Sequence, residues 1–408
     1  MSQCQAEVIV AGHICLDIIP TIHGKPLGTN ALLVPGKLVD IGPAVISTGG
    51  AVSNTGIALH RLGSKVSLMG KVGKDRFGEA ILSILSEQSP SLVDGMIIAS
   101  GEHSSYSIVI SPPGTDRTFL HSTGANDTYS AADLRTEQFQ AARLFHFGYP
   151  PLMRSMYVNN GEELALLLKK VKDQSLTVSL DLAKPDPESD AGRVDWRSIF
   201  MNTLKYVDVF LPSFEEIVYM LHRDRFDQWM GESESGDLLP YATGDFLSQI
   251  AEELLEMGVA IVGLKLGEHG LYVRTTWHEE RLAEMGLCAP NEVLCENWLD
   301  AELISSCYEV DVVGTTGAGD CTIAGFLLGL LRGTQLEHTL HTAVGVGAFN
   351  VERADAVSGI PEFSEVWKRI NDGWTKRRMK LDLPNWVFHE ENLWIGPHHK
   401  KSREGEKR

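Results

Sequence analysis

Short apolar runs recur along this 408-residue chain, and stretches with helical spacing separate them. Residues 8–12, 66–72, 144–148, 176–181, 206–211 and 259–265 read as buried strands, and 51–62, 77–86, 162–172 and 246–257 read as helices. A strand followed by a helix and another strand is a crossover unit, which closes right-handed onto a parallel sheet. The predicted fold class is therefore α/β: a doubly wound, mostly parallel sheet with helices on both faces. Two stretches, about 17–47 and 103–122, leave that rhythm. The first holds extended, turn-rich residues such as Leu32 to Lys37; the second reads as a hairpin around Ser111-Pro112-Pro113-Gly114. Together they predict a small β-sheet lid.

The chemistry concentrates in Gly314-Thr315-Thr316-Gly317-Ala318-Gly319-Asp320, which opens the apolar stretch Ile323 to Leu331. The first amides of a helix lack intrahelical partners and carry the positive end of its dipole, so they suit a negatively charged transferring group. An aspartate in the same turn can accept a proton from an attacking hydroxyl, as phosphoryl transfer to an alcohol requires. No Lys-Ser or Lys-Thr follows the glycines, so this is not a Walker loop. The bland reading is a strand-to-helix turn with a capping Asp.

The run resembles the C-terminal signature of the ribokinase-like (PfkB) carbohydrate kinases, in which the closing aspartate is the catalytic base. Thr48-Gly49-Gly50-Ala51-Val52-Ser53-Asn54 resembles the N-terminal signature of the same family, and the two occur in family order. The resemblance spans roughly residues 6–361 and implies a ribokinase-like fold with the lid over the acceptor. It assigns Asp320 as base, with the Gly317, Ala318 and Gly319 amides as anion hole. Asp17, Gly49, Gly50, Asn54, Asn126 and Asp181 would face a sugar. Ser213, Glu216, Lys265, Gly267, Gly270, Thr315 and Asn350 would border ATP, with Glu216 holding Mg2+ through water.

Two departures stand out. Ser213 takes the place of the family's asparagine in Leu211-Pro212-Ser213-Phe214-Glu215-Glu216, and Gly314 stands where family members usually carry Asp. That carboxylate often belongs to a monovalent-cation site, so potassium activation is not inherited. The expected activity is ATP-dependent phosphorylation of a hydroxyl on a sugar or sugar-like molecule. A nucleoside or vitamin kinase of this fold, stacking its substrate on Phe119, Phe147 or Tyr149, is the first alternative. A catalytically silent sugar-binding regulatory protein is the second.

The composition bounds partners. A formal charge of −18 speaks against nucleic acid and anionic membranes, which demand a basic surface. No apolar stretch reaches bilayer length, and no basic segment followed by an apolar run opens the chain. Six scattered cysteines do not form a disulfide framework, which fits a cytoplasmic protein. Cys288, Cys295, Cys307 and His278 cluster in sequence but match none of the usual zinc spacings. By resemblance a homodimer through the lid is expected. Residues 1–361 form the predicted kinase domain, with insertions at about 223–244 and 275–309; residues 362–408 form a C-terminal helix and a charged tail. Phe363, Trp367, Ile370 and Trp374 supply that helix's apolar face. The acceptor's identity and the role of the insertions are not legible in residue types.

Overall fold

The computed structural model describes residues 6–23, 34–112, 117–389 and 392–400. Its strands are β1 (Val8–Gly12), β2 (Cys15–Pro20), β3 (Ala44–Gly49), β4 (Val66–Met69), β5 (Lys71–Gly73), β6 (Ile97–Ala99), β7 (Tyr106–Ile110) and β8 (Thr118–Ser122). The second half adds β9 (Leu144–Gly148), β10 (Thr177–Asp181), β11 (Val209–Phe210), β12 (Ile261–Lys265), β13 (Leu271–Thr275), β14 (Glu302–Ser305), β15 (Val387–His389) and β16 (Leu393–Ile395). The main sheet runs β15-β16-β14-β13-β12-β11-β10-β9-β1-β4. From β4 to β12 neighbouring strands are parallel, and from β12 to β15 they are antiparallel.

The parallel strands are apolar on both faces because both faces are covered. In β1, Ile9 and Ala11 join one core with Phe145, Phe147 and the helices Glu162–Lys172 and Gly244–Glu256. Val8 and Val10 join the other core, under the helices Ala51–Arg61, Ala318–Arg332 and Leu336–Val351. That period of two in a fully buried strand is what a doubly wound sheet requires. Helix Ala318–Arg332 buries Ile323, Phe326 and Leu327, each worth roughly 1.5–3 kcal/mol on leaving water. A Cβ on Gly325 would sit 2.8 Å from the Ala343 Cα, so glycine here sets how closely helices Ala318–Arg332 and Leu336–Val351 approach.

The lid is a separate four-stranded sheet, β3-β2-β7-β8. The two excursions therefore pair with each other, joined where β2 runs parallel to β7. Leu32 and Leu33 lie outside the described residues, and Pro35-Gly36 form a turn rather than strand. Residues 66–72, expected as one strand, divide at Gly70 into β4 in the main sheet and β5 in a two-stranded sheet with β6.

The stretches read as insertions contain regular structure. Arg223–Glu232 is a helix whose Phe226 is buried and whose Trp229 stacks on Tyr241 at 4.8 Å. Residues 275–309 hold two short helices and β14, a full member of the main sheet. The final helix is Phe363–Asn371, so Trp374 lies beyond it, stacked on Tyr308 at 4.4 Å. The charged tail is packed over its described residues 392–400. β16 pairs with β14, and the buried Glu302 carboxylate accepts from Tyr272 Oη at 3.0 Å and from the His398 amide at 2.9 Å. Residues 401–408 lie outside the described set.

Candidate active site

Parallel strands with helical crossovers present their C-terminal ends to one crevice. Tyr149 follows β9, Asp181 closes β10, Ser213 follows β11 and Lys265 closes β12. Facing them is the head of helix Ala318–Arg332, where Gly317 is the N-cap with φ of 72°. A Cβ on Gly317 would meet Ala356 at 2.8 Å, so both the positive φ and the close approach call for glycine. These elements enclose a cleft of about 430 Å³. Ser213, Glu216, Lys265, Gly267, Gly270, Thr315, Gly317, Ala318, Gly319 and Asp320 all line it.

Asp320, 3% exposed, accepts from Tyr149 Oη at 2.8 and 2.9 Å and from Asn54 Nδ2 at 2.9 Å. Burial pushes its carboxyl above the ordinary range, while the Asn54 bond, the Lys265 charge and the Tyr149 bond oppose that rise. Tyr149 itself has φ of 65° and ψ of 44°, the left-handed region that non-glycine residues seldom occupy. Such strain, of order 1–3 kcal/mol, persists where the surroundings hold the residue for a purpose. Its hydroxyl on Asp320 supplies one. The Ala318 amide meets the Thr315 carbonyl at 3.3 Å, so one of the three expected anion-hole amides is already engaged within the loop.

Lys265 stands among carboxylates. Its Nζ is 2.6 Å from Asp181 Oδ1, and the charges of Asp181, Glu216 and Asp320 outweigh its burial and hold it protonated. Burial raises Asp181, and Glu216 and Asp320 push the same way against Lys265. Asp181 Oδ2 is buried with no hydrogen-bond partner among the described residues. One cation thus faces three acids. Glu216 and Ser213 form a reciprocal helix cap: Ser213 Oγ accepts from the Glu216 amide at 3.2 Å, and Glu216 Oε2 accepts from the Ser213 amide at 2.6 Å. Glu216 thus serves as a charge at the helix start, and it lines the cleft as well.

The N-terminal residues assemble on the other side of Asp320. A Cβ on Gly49 would lie 2.2 Å from Asp17 Oδ2, and one on Gly50 would lie 2.5 Å from His13 Nδ1. Both glycines let buried polar groups rest against the backbone. Asp17 belongs to β2 in the lid sheet, not to the end of β1, and burial raises its carboxyl. Asn54 spends Nδ2 on Asp320, and its Oδ1 is buried without a partner among the described residues.

Three assignments change. The Asn126 amide is fully buried and tied to Ile14 and Thr123 backbone groups, so it braces the lid's base instead of offering itself to a ligand. Asn350 donates to the Thr316 and Ala356 carbonyls at 3.1 and 2.6 Å, bracing the glycine-rich loop, and does not line the cleft. Asp181 pairs with Lys265 behind the cleft wall. Cys288, Cys295, Cys307 and His278 do not converge; His13, Cys15 and His121 do. Arg117 of the lid donates to Thr315 Oγ1 at 2.5 Å and ties the lid to the glycine-rich loop. Tyr149, expected only as a stacking aromatic, lies just past a parallel strand's C-terminal end and is thus a crevice residue by topology.

Gly314 also finds its reason here. A Cβ there would lie 2.9 Å from the Arg353 carbonyl and 3.0 Å from the Ala354 Cα, so the backbone occupies the room an aspartate needs.

The model of the pfkB family carbohydrate kinases matches residues 5–362. An uncharacterized sugar kinase of Archaeoglobus fulgidus is 27% identical over 75% of this chain and 98% of its own length. The structure of Arabidopsis thaliana ribokinase complexed with ribose and ATP superposes with a TM-score of 0.65 at 19% identity, covering 89% of this chain and 98% of that one. Fructokinase with bound ATP from Xylella fastidiosa gives 0.65 at 18%, covering 90% and 99%. With the fold, the two signatures and the family match in agreement, the chain belongs to the pfkB family of carbohydrate kinases, phosphotransferases whose acceptor is an alcohol.

Proposed function

We propose that this kinase transfers the γ-phosphoryl group of ATP to a hydroxyl of a sugar or sugar-like molecule, with Asp320 as the base. The observation that carries the proposal is the Asp320 carboxylate. It is buried at the head of a helix, held by Tyr149 and Asn54, and set in the wall of a cleft that also presents Lys265 and Glu216. Relatives of similar fold are named for ribose and fructose phosphorylation, which supports a sugar acceptor without choosing one.

Asp17 accepts hydrogen bonds from acceptor hydroxyls, and the partnerless Asn54 Oδ1 takes another, next to the base. The triphosphate lies along Gly317–Gly319 and Lys265. Asp320 removes the hydroxyl proton as the new O–P bond forms and the bond to the β-phosphate oxygen breaks, releasing ADP. Most of the rate comes from alignment and from charges fixed before the reaction begins. The acids gathered round Lys265 fit a divalent cation at the cleft; Glu216, which lines it, would hold Mg2+ through water, and the cation would neutralise phosphate charge. Arg117 on Thr315 keeps the lid over the acceptor, which excludes water.

Phe147 is buried in the core and Tyr149 is committed to Asp320, which leaves the nucleoside reading with only Phe119 for stacking. Intact Asp320, Lys265 and Glu216 on one cleft favour catalysis over a silent binding protein. Replacing Asp320 with Asn should leave folding and acceptor binding in place and lower turnover on the order of a hundredfold or more. Unchanged ADP release with that variant, across a panel of sugars, would remove the proposal. The lid's edge strands also expose Val45, Ile46, Phe119 and Leu120, which we read as the face that meets a second copy. A monomeric mass in solution would contradict that.

A further inference from the structure

We propose that His13, Cys15 and His121 form a site for a divalent cation of the zinc class, bridging the core and the lid. The argument starts from register. Asp17, Ser107 and His121 stand opposite one another across β2, β7 and β8, so they form one row on the lid sheet. Cys15 lies two residues before Asp17 and therefore shares its face. His13, in the link between β1 and β2, reaches the same point from the core side. The three ligand atoms all lie within 4.8 Å of one another.

The distances suit a metal. His13 Nε2 and His121 Nε2 are 3.2 Å apart. Two nitrogens at the usual zinc distance of about 2.05 Å in a tetrahedron are separated by about 3.3 Å. The second nitrogen of His121, Nδ1, is 3.0 Å from Ser107 Oγ, which turns Nε2 toward the site as an outer-shell partner does. His13 is 2% exposed, and its ring's only hydrogen-bonding contact among the described residues is His121, while Cys15 is 3% exposed. Without a cation, two ring nitrogens confront each other and Cys15 donates its thiol hydrogen to Asp17 Oδ1 at 3.3 Å. On binding, Cys15 loses that proton to solvent and its sulfur bonds the metal; the ring nitrogens donate lone pairs. Asp17 Oδ1 or water takes the fourth position.

Asp17 is the proposed acceptor ligand, so a bound cation also competes with the sugar. That competition rests on the function proposed above; the binding itself does not. The test is equilibrium dialysis of the full chain against Zn2+, with no ATP or sugar present, followed by Co2+ substitution. About one equivalent of Zn2+ per chain is expected, and the Co2+ form should show a thiolate-to-metal charge-transfer band. Cys15→Ser should abolish that band. His121→Ala, on the lid surface, should weaken binding at least about tenfold with an unchanged melting temperature in metal-free buffer. Substoichiometric Zn2+ in the wild type, or equal affinity in both variants, overturns the site. Because the readout is binding, a failed metal site and a failed kinase assignment give different results.

Discussion

Tyr149→Phe removes one oxygen and nothing else. In the structure that oxygen donates its hydrogen to the Asp320 carboxylate, 2.8 and 2.9 Å from its two oxygens. A hydrogen bond to a charged group contributes about 1.5–3 kcal/mol, and each 1.4 kcal/mol is a factor of ten. The bond favours the ionised form and so holds the Asp320 pKa down against burial. Removing it lets burial push the carboxyl further up. The base works only when ionised, so the acid limb of the kcat/KM profile must move to higher pH. At a fixed pH on that limb, the ionised fraction and the rate should fall roughly 10- to 100-fold, by the arithmetic above. On the alkaline side the rate should recover most of its value, because the carboxylate is ionised there in both proteins. The assay is ADP release measured across the pH range for both proteins, with a saturating nucleotide and limiting acceptor. An acid limb that stays where it was, with the rate lowered equally at every pH, would show that Tyr149 only positions the site, and the electrostatic account would fail.

Asp181 supplies a pH test of stability. Its folded-state pKa is raised, so over the window above the ordinary carboxylate range the folded chain holds a proton that the unfolded chain has lost. Stability then falls as pH rises through that window. Asp181→Asn should gain on the wild type in thermal midpoint as pH rises through that window; a constant difference would refute the assignment. For Gly314→Asp, overpacking against the Arg353 carbonyl at 2.9 Å should cost roughly 1–3 kcal/mol in denaturant unfolding, and KCl should not raise its activity above that of NaCl. An aspartate tolerated without loss would mean that the 353–354 backbone yields easily.

The parts legible in the sequence were those whose chemistry is local. Gly317 and Asp320 announce themselves because a positive φ and a helix start demand particular residues over a short span. Lys265 and Glu216 follow from strand ends, since topology alone sends those ends to one crevice. Tyr149 was hidden because an aromatic next to Phe145 and Phe147 looks like more core, and only the backbone turn at its φ of 65° redirects it. Asn126 and Asn350 carry family positions, yet which carbonyls they meet depends on segments far away in the chain. The run 206–211 reads as a strand four residues longer than β11, because its apolar residues continue past the two paired ones, and β15 is exposed throughout, so it offers no alternation to be read.

The family match ends at residue 362, yet the sheet does not. β16 satisfies the outer backbone of β14, and the His398 amide is one of the donors that satisfy the buried Glu302. Trimming the chain to its recognisable family segment would therefore act like a lesion in the middle of the protein, baring a ready template for intermolecular pairing and leaving an internal acid short of a donor. Any shortened version meant for crystallisation or engineering has to carry the last two strands with it, because in this kinase the boundary of kinship and the boundary of folding are different places.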